Sequence, residues 1–236
     1  MTLTKAELYG FEIINNWVTT FPLENVSLLG KTKPGAPQAQ VICELEKKIS
    51  LEGLSVLDLG CLEGLHAYIL QERKVKQVVS IEGRRENFLK SLIIKNAFKL
   101  DNCEFLFGDV YAVMSSLVFK FDLCLASGIL YHVDNPVSLL YRISQLSKKL
   151  FVLTHYATND YPPGPTVKIK CNNKIYHGKY FQEDTANIVG SLEEQVFWLY
   201  EEDLLKAVKD AGFRFVEVIH KEMHKHGPAL TFWATK

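Results

Sequence analysis

The stretch VLDLGCLEG, from Val56 to Gly64, decides the fold. An apolar run that ends in glycines is typical of a buried strand turning sharply into a helix, because glycine adopts φ > 0 without steric penalty. The free N–H groups at the start of such a helix attract anionic or polar groups. Leu62 stands where a dinucleotide fingerprint has a glycine, and no GKS or GKT follows, so a phosphate or pyrophosphate cradle is disfavoured.

Short apolar runs alternate with helical patterns from Ser55 onward. The predicted strands are SVLDL, QVVSI, CEFLF, FDLCLA and KLFVLT, and this alternation indicates βαβ units and a parallel sheet. The tail adds a helix and two strands, RFVEVIH and ALTFWAT, whose tight connection forces antiparallel pairing. We therefore predict an α/β fold: a Rossmann-like, doubly wound, seven-stranded and mostly parallel sheet with a C-terminal antiparallel strand.

The composition disfavours several classes of protein, although a local basic patch for nucleic acid stays open. Lysine plus arginine equals aspartate plus glutamate at 27 each, so net charge offers no attraction for nucleic acid. The 5 cysteines form no CxxC pair, which indicates buried thiols in a reducing compartment. The N-terminus lacks a signal-peptide pattern, and no apolar run is long enough to span a membrane. We expect a soluble, cytoplasmic protein without a membrane partner.

Acidic residues follow the next two predicted strands. Glu82 ends the second strand, where a carboxylate can accept both hydroxyls of a ribose, and Asp109 ends the third. Taken alone, Asp109 is more typical of a helix N-cap, and the glycine turn is more typical of plain packing. Their occurrence at three successive strand ends favours a nucleoside without phosphates, with a nucleotide-dependent dehydrogenase as the lesser alternative.

With these residues the sequence resembles the class I S-adenosylmethionine-dependent methyltransferases, over about Ser55 to Thr154. The resemblance implies that the D-x-G-C-x-x-G turn contacts the amino-acid end of S-adenosylmethionine, that Glu82 holds its ribose, and that a G-D pair reads its adenine. The cofactor-binding residues implied in this way are Asp58, Gly60, Cys61, Gly64, Glu82, Gly83, Gly108, Asp109, Val110 and Ser127.

The stretch GILYHVDNP follows the fourth strand, where open α/β sheets bind ligands. Methyl transfer is an in-line displacement, so the protein aligns a nucleophile and removes its proton when its pKa is high. We predict catalytic roles for His132 as general base, Tyr131 as a pocket residue, and His155 as a second histidine after the fifth strand. Water as the base stays open, as does a capping or packing role for His132.

The predicted organisation is one methyltransferase domain, 1–236. It comprises an N-terminal helical extension (1–50), a cofactor-binding core (51–154), a substrate lid (155–199), and a C-terminal helix and β-hairpin (200–236). Segment 155–199 is rich in proline and glycine without a helical period, and long connections of this kind are usually functional. Aromatic and polar residues there suit a small polar or aromatic substrate: Tyr176, His177, Lys179, Tyr180 and Glu183. In the N-terminal extension, Phe11 and Trp17 either close over the cofactor or belong to the core.

The predicted function is transfer of a methyl group from S-adenosylmethionine to an oxygen or nitrogen of a small-molecule acceptor. GILYHVDNPVSLL and CLEGLHAYIL also resemble the branch that contains the tRNA wobble-uridine carboxymethyltransferases. A tRNA substrate is therefore the first alternative, and it requires a basic face built from Lys168, Lys170, Lys174 and Lys179. A non-catalytic cofactor-binding module is the second. We predict no metal site, since His220, His224 and His226 lie at a hairpin without the spacing of zinc ligands.

Overall fold

The structure is a computed structural model that describes residues 9–11, 13–21 and 37–236. The chain divides into two compact units, Met1–Val113 and Met114–Lys236. Most of the first predicted N-terminal helix, and the loop KTKPGAP, lie outside the described residues.

The first unit alternates helices and strands as predicted. Its elements are α1 (Pro37–Glu46), β1 (Ser55–Leu59), α2 (Leu65–Glu72), β2 (Gln77–Glu82), α3 (Arg85–Phe98), β3 (Cys103–Phe107) and α4 (Val110–Ser116), in which the unit ends. β1 pairs with β2 and β2 with β3, both in parallel. Val56, Leu57 and Leu59 are fully buried. Such continuous apolar strands are required where helices cover both faces of a parallel sheet.

The second unit continues the same pattern. Its elements are β4 (Leu123–Ser127), a 3-10 helix (Leu130–His132), α5 (Pro136–Leu146), β5 (Lys149–His155), β6 (Val167–Cys171), β7 (Lys174–Gln182), β8 (Gln195–Leu199), α6 (Glu201–Asp210), β9 (Phe215–His224) and β10 (Gly227–Thr235). β4 and β5 are parallel, while β10 is antiparallel to both β5 and β9. Strands β1 to β5, β9 and β10 make up a seven-stranded sheet, which confirms the predicted Rossmann-like fold with its antiparallel C-terminal strand.

The segment predicted to be an irregular lid contains a second sheet. Strands β6, β7 and β8 form a three-stranded antiparallel sheet in that order. Its first hairpin turns at Asn172 and Asn173, whose φ values are 47° and 61°. Two left-handed residues form the turn whose twist matches paired strands, and asparagine tolerates this conformation. The prediction of an irregular segment is corrected here.

The C-terminal hairpin is tighter than predicted. β9 extends through His224 and β10 begins at Gly227, so only Lys225 and His226 connect them. In the part of the chain that the structure describes, no helix is long and apolar enough to cross a membrane.

Candidate active site

The glycine turn after β1 contains three residues in the left-handed region. The φ values are 70° at Gly60, 52° at Leu62 and 89° at Gly64. A Cβ at Gly64 would lie 3.2 Å from the Phe105 ring, so only glycine fits there without displacing the ring. Leu62 adopts a conformation that is uncommon for a branched residue. Its backbone N–H donates a 2.8 Å hydrogen bond to Glu82, which explains why the conformation is retained.

Glu82 presents its carboxylate at the end of β2. One oxygen accepts a hydrogen bond from the Leu62 N–H and the other from the Arg84 N–H, each at 2.8 Å. The Asn87 side chain also hydrogen-bonds to this carboxylate. An ionised carboxylate has about four lone-pair sites, so acceptor capacity remains for a ligand hydroxyl. Burial raises the pKa of Glu82 to about 7, although the Arg84 and Leu62 N–H groups oppose that shift. Gly83 lies directly after this carboxylate.

The third strand ends in Gly108 and Asp109. Gly108 has φ 147°, and a Cβ there would lie 2.9 Å from the Val113 side chain. Asp109 Oδ1 accepts a 2.9 Å hydrogen bond from the Ala112 N–H, so the residue caps α4. Val110, the first residue of α4, is 9% exposed. The cap uses one oxygen of Asp109 and leaves the second for a ligand.

Asp58 and Cys61 lie in the interior of the first unit. Asp58 is fully buried: one oxygen accepts a 3.3 Å hydrogen bond from Ser80, and the other lies 3.5 Å from His66 Nδ1 without a hydrogen-bond partner. Burial, together with Asp58 and Glu82, raises the pKa of the Cys61 thiol well above its ordinary value. Cys61 is therefore a neutral thiol, and its backbone N–H donates to Ile81 and so holds the turn against β2.

Glu63 was missed by sequence reasoning, although it lies inside the turn. Its carboxylate is fully buried and binds residues 13–21, named here the N-terminal segment, through the backbone N–H groups of Val18 and Thr19. It also forms a 3.1 Å ion pair with Lys90 on α3. Nothing in the local sequence distinguishes Glu63 from an exposed turn residue, because its partners are distant in the chain.

Phe11 and Trp17 belong to the core of the first unit. They are 2% and 4% exposed, and their ring centroids lie 5.2 Å apart. Trp17 also packs edge-to-face against Phe21 at 6.4 Å. Of the two roles open at the sequence level, the structure therefore favours packing.

In the second unit, His132 is held by a carboxylate. Its Nδ1 lies 2.7 Å from Oε1 of Glu183, which follows β7, and the two side chains are 15% and 9% exposed. An ionised carboxylate only accepts hydrogen bonds, so it fixes the proton of a neutral imidazole on Nδ1. Nε2 then carries a lone pair that can accept a proton. Sequence reasoning named Glu183 as a lid residue and did not predict this partnership.

Tyr131 and His155 lie beside this pair. The Tyr131 ring centroid is 4.1 Å from that of His132 and 4.6 Å from that of His155. His155 Nδ1 donates to the Pro228 carbonyl at 3.1 Å, and the ring stacks on Trp198 at 5.0 Å. Burial raises the pKa of Tyr131 to about 12 and lowers that of His155, so near neutral pH both are uncharged. The second unit thus brings together all three predicted catalytic residues. Ser127, predicted to bind the cofactor, is the last residue of β4.

Two of the predicted lid residues make structural contacts instead. Lys179 is 4% exposed, and its ammonium donates to the carbonyls of Asn159 and Pro162 at 2.6 and 3.0 Å. Tyr176 is fully buried, and its hydroxyl donates to Asp210 at 2.9 Å. Lys174 also pairs with Asp210, at 2.6 Å. These contacts remove Lys179 from the basic face that a tRNA substrate would require.

Residues 50–211 match the family described as methyltransferase domain. The chain belongs to that family. It is a class I S-adenosylmethionine-dependent methyltransferase. Among curated proteins, no match was found.

Solved structures share the fold of the methyltransferase. The N-terminal domain of EvdMO1, crystallised with S-adenosylhomocysteine (SAH) and D-fucose, aligns with a TM-score of 0.78 at 23% identity, covering 98% of this chain and 95% of that one. Magnesium protoporphyrin IX methyltransferase from Synechocystis PCC 6803, with SAH bound, aligns with a TM-score of 0.57 at 15% identity, covering 84% and 83%. An S-adenosylmethionine-dependent methyltransferase from Mesorhizobium loti aligns with a TM-score of 0.57 at 14% identity, covering 82% and 96%.

The residues of the first unit fit S-adenosylmethionine. The turn adopts the left-handed conformations that let a backbone approach a ligand closely, and the Glu82 carboxylate keeps acceptor capacity for a ribose hydroxyl. The individual cofactor contacts remain predictions. Among the described residues, no cluster of histidine, cysteine or carboxylate side chains is arranged to hold a metal ion.

Proposed function

We propose that the methyltransferase methylates a hydroxyl oxygen of a small-molecule acceptor, with His132 as the general base. The observation that carries this proposal is the 2.7 Å contact between His132 Nδ1 and Glu183. A hydroxyl is a weak nucleophile until its proton is removed, whereas a free amine already has a lone pair. A histidine fixed with Nε2 unprotonated therefore favours oxygen over nitrogen as the methylated atom.

The reaction is a single displacement. When bound, S-adenosylmethionine supplies a methyl carbon on a positively charged sulfur. His132 Nε2 accepts the hydroxyl proton as the acceptor oxygen forms a bond to the methyl carbon; the carbon–sulfur bond breaks, and its electron pair goes to sulfur. Glu183 stabilises the imidazolium that results. The neutral Tyr131 hydroxyl and His155 Nε2 are suited to orient the acceptor through hydrogen bonds.

The acceptor class is proposed to be a hydroxylated small molecule, with sugars tested first. EvdMO1, whose N-terminal domain was crystallised with D-fucose, shares this fold. Nonaromatic hydroxyls have high pKa values, and a side-chain base is most useful for such acceptors. A first acceptor panel therefore comprises D-fucose, related deoxyhexoses, catechols and primary amines.

The test is turnover by His132→Ala with an acceptor from that panel. We expect kcat to fall by about 10²- to 10⁴-fold, the usual contribution of a general base, with SAH affinity unchanged by calorimetry. The matched control is His220→Ala, which removes an exposed histidine beside a carboxylate, 3.8 Å from Glu222. Equal losses of turnover and SAH affinity in His132→Ala would show a structural role instead. Methylation of amines alone would reject an oxygen acceptor.

A further inference from the structure

Glu63 connects the cofactor turn to the N-terminal segment. Its Oε1 accepts a hydrogen bond from the Val18 N–H at 2.9 Å, and its Oε2 accepts one from the Thr19 N–H at 2.6 Å. Glu63 stands between Leu62, whose N–H binds Glu82, and Gly64, whose left-handed conformation starts α2. One residue of the turn therefore contacts the proposed ribose carboxylate, while its neighbour holds a separate part of the chain.

Lys90 completes a charge cluster at this position. Its ammonium lies 3.1 Å from Glu63 Oε1 and donates to the Asn16 carbonyl at 2.7 Å. It also lies 3.3 Å from Glu86 and 5.6 Å from the centroid of the Trp17 ring. The side chains of Lys90 and Glu63 are both 0% exposed. The N-terminal segment therefore supplies the N–H groups that bind the Glu63 carboxylate and the Asn16 carbonyl that binds the Lys90 ammonium.

Removal of the segment would disturb the turn. The Glu63 carboxylate would lose two N–H donors and keep only Lys90, which would itself lose the Asn16 carbonyl. A buried charge without its hydrogen-bond partners is strongly unfavourable, so the side chain would move towards water and carry the turn backbone with it. Leu62 and Gly64 flank Glu63, so their left-handed conformations could not persist unchanged.

We infer that Glu63 is a positioning residue for the cofactor, and that through it the N-terminal segment becomes part of the cofactor site. Cofactor affinity then depends on a docked segment, and cofactor binding strengthens docking to the same extent, because coupling between two binding events is reciprocal. This inference goes beyond the proposed acceptor chemistry and does not depend on the role of His132.

The first experiment compares Glu63→Gln with the matched variant Glu46→Gln. Both oxygens of Glu63 accept hydrogen bonds from donors. In Glu63→Gln the amide N–H₂, itself a donor, would face at least one of these donors and could not accept a hydrogen bond from it. Glu46 pairs with Arg73 at a partly exposed position outside the turn, at 2.5 Å. We expect Glu63→Gln to weaken SAH binding at least about tenfold by calorimetry, the loss typical of one hydrogen bond to a charged group. Glu46→Gln should bind SAH like the wild type.

The SAH dependence of amide hydrogen exchange in the N-terminal segment distinguishes a positioning role of Glu63 from a purely structural one. In the wild type, SAH at about 100 times its Kd should slow exchange of the Val18 and Thr19 amides by up to about 100-fold, because only the docked state binds. In Glu63→Gln these amides should exchange faster and lose that dependence on SAH. Unchanged exchange of both amides at saturating SAH would overturn the inference, as would a destabilised Glu63→Gln with wild-type SAH affinity.

A second pair of variants leaves the turn itself untouched, in case Glu63→Gln does not fold. Asn16 has φ 61° and an exposed side chain. Asn16→Val disfavours this conformation and with it the presentation of the carbonyl to Lys90, whereas Asn16→Gly permits it. We expect weaker SAH binding in Asn16→Val than in Asn16→Gly. Equal Kd values for SAH in the two variants, with faster segment exchange in Asn16→Val, would show that docking and cofactor binding are independent.

Discussion

Glu82 in the first unit and His132 in the second are held by different kinds of group. Glu82 receives two backbone N–H groups, from Leu62 and Arg84, and one side-chain hydrogen bond from Asn87, so its geometry depends largely on the path of the chain. His132 is held by the side chain of Glu183, 51 residues away. Leu62 contacts Glu82 through its backbone N–H, so this contact does not depend on the Leu62 side chain. The His132 site, in contrast, depends on the identity of one distant residue, Glu183.

Among the further variants that test this comparison, Glu82→Ala should have the largest effect. Glu82→Ala removes the carboxylate proposed to bind both ribose hydroxyls and leaves the Leu62 N–H without its acceptor. Each hydrogen bond to a charged group contributes about 1.5–3 kcal/mol, so SAH affinity should fall by about 10- to 150-fold. Calorimetric titration with SAH measures the change. Wild-type affinity in this variant would remove Glu82 from the cofactor site.

The pH dependence of binding provides the control for Glu82. Because the pKa of the folded protein's Glu82 is raised to about 7, the residue becomes protonated as the pH falls below 7. A protonated carboxyl accepts hydroxyl hydrogen bonds poorly, so SAH affinity should decrease below pH 7 and the wild type should release a proton on binding at that pH. Glu82→Gln does not titrate and should show a flat profile between pH 5 and 8.

A smaller effect is expected at Glu183, and it should appear in kcat. Glu183→Gln keeps an acceptor for His132 Nδ1 but removes the charge that strengthens the hydrogen bond and stabilises the imidazolium. Charge-assisted hydrogen bonds are about twice as strong as neutral ones, so kcat should fall about tenfold with little change in the acceptor KM. Steady-state kinetics separate the two parameters. A rise in KM at constant kcat would instead assign Glu183 to acceptor binding.

The smallest effect should arise within the three-stranded sheet. Tyr176→Phe removes the hydroxyl that donates to Asp210, while Lys174 and Lys206 remain paired with that carboxylate. The free energy of unfolding should decrease by about 1 kcal/mol, the net contribution of one hydrogen bond, and kcat should stay unchanged. Urea denaturation measures the first and turnover the second. A large loss of kcat with wild-type stability would return Tyr176 to the acceptor site.

Much of the seven-stranded sheet and of the first-unit site follows from local patterns. The strands from β1 to β5 are short apolar runs, and the glycine turn, Glu82 and Asp109 stand directly at strand ends. Periodicity and glycine placement report directly on such local features. The C-terminal hairpin was predictable for the same reason, because a short connection permits only antiparallel pairing.

The side-chain partnerships could not be predicted in this way. Glu63 binds amides 44 and 45 residues away, and Glu183 binds His132 from the far end of β7. These contacts are set by tertiary packing, for which a single sequence carries no periodic signal. The hairpin of β6 and β7 did have one, since VKIKC alternates directly before the pair Asn172 and Asn173. Residues that tolerate positive φ are typical of the turn of a two-residue hairpin.

The position of β6 at the edge of its sheet has a consequence for solubility. Lys168 and Lys170 are exposed on this strand, and the intervening side chains are partly buried. An exposed edge offers unpaired backbone groups to any other extended chain, and lysines along it are a common protection against that addition. Two lysines first considered for RNA contact are thus placed to prevent aggregation, and their replacement by valine would create a surface prone to intermolecular strand pairing.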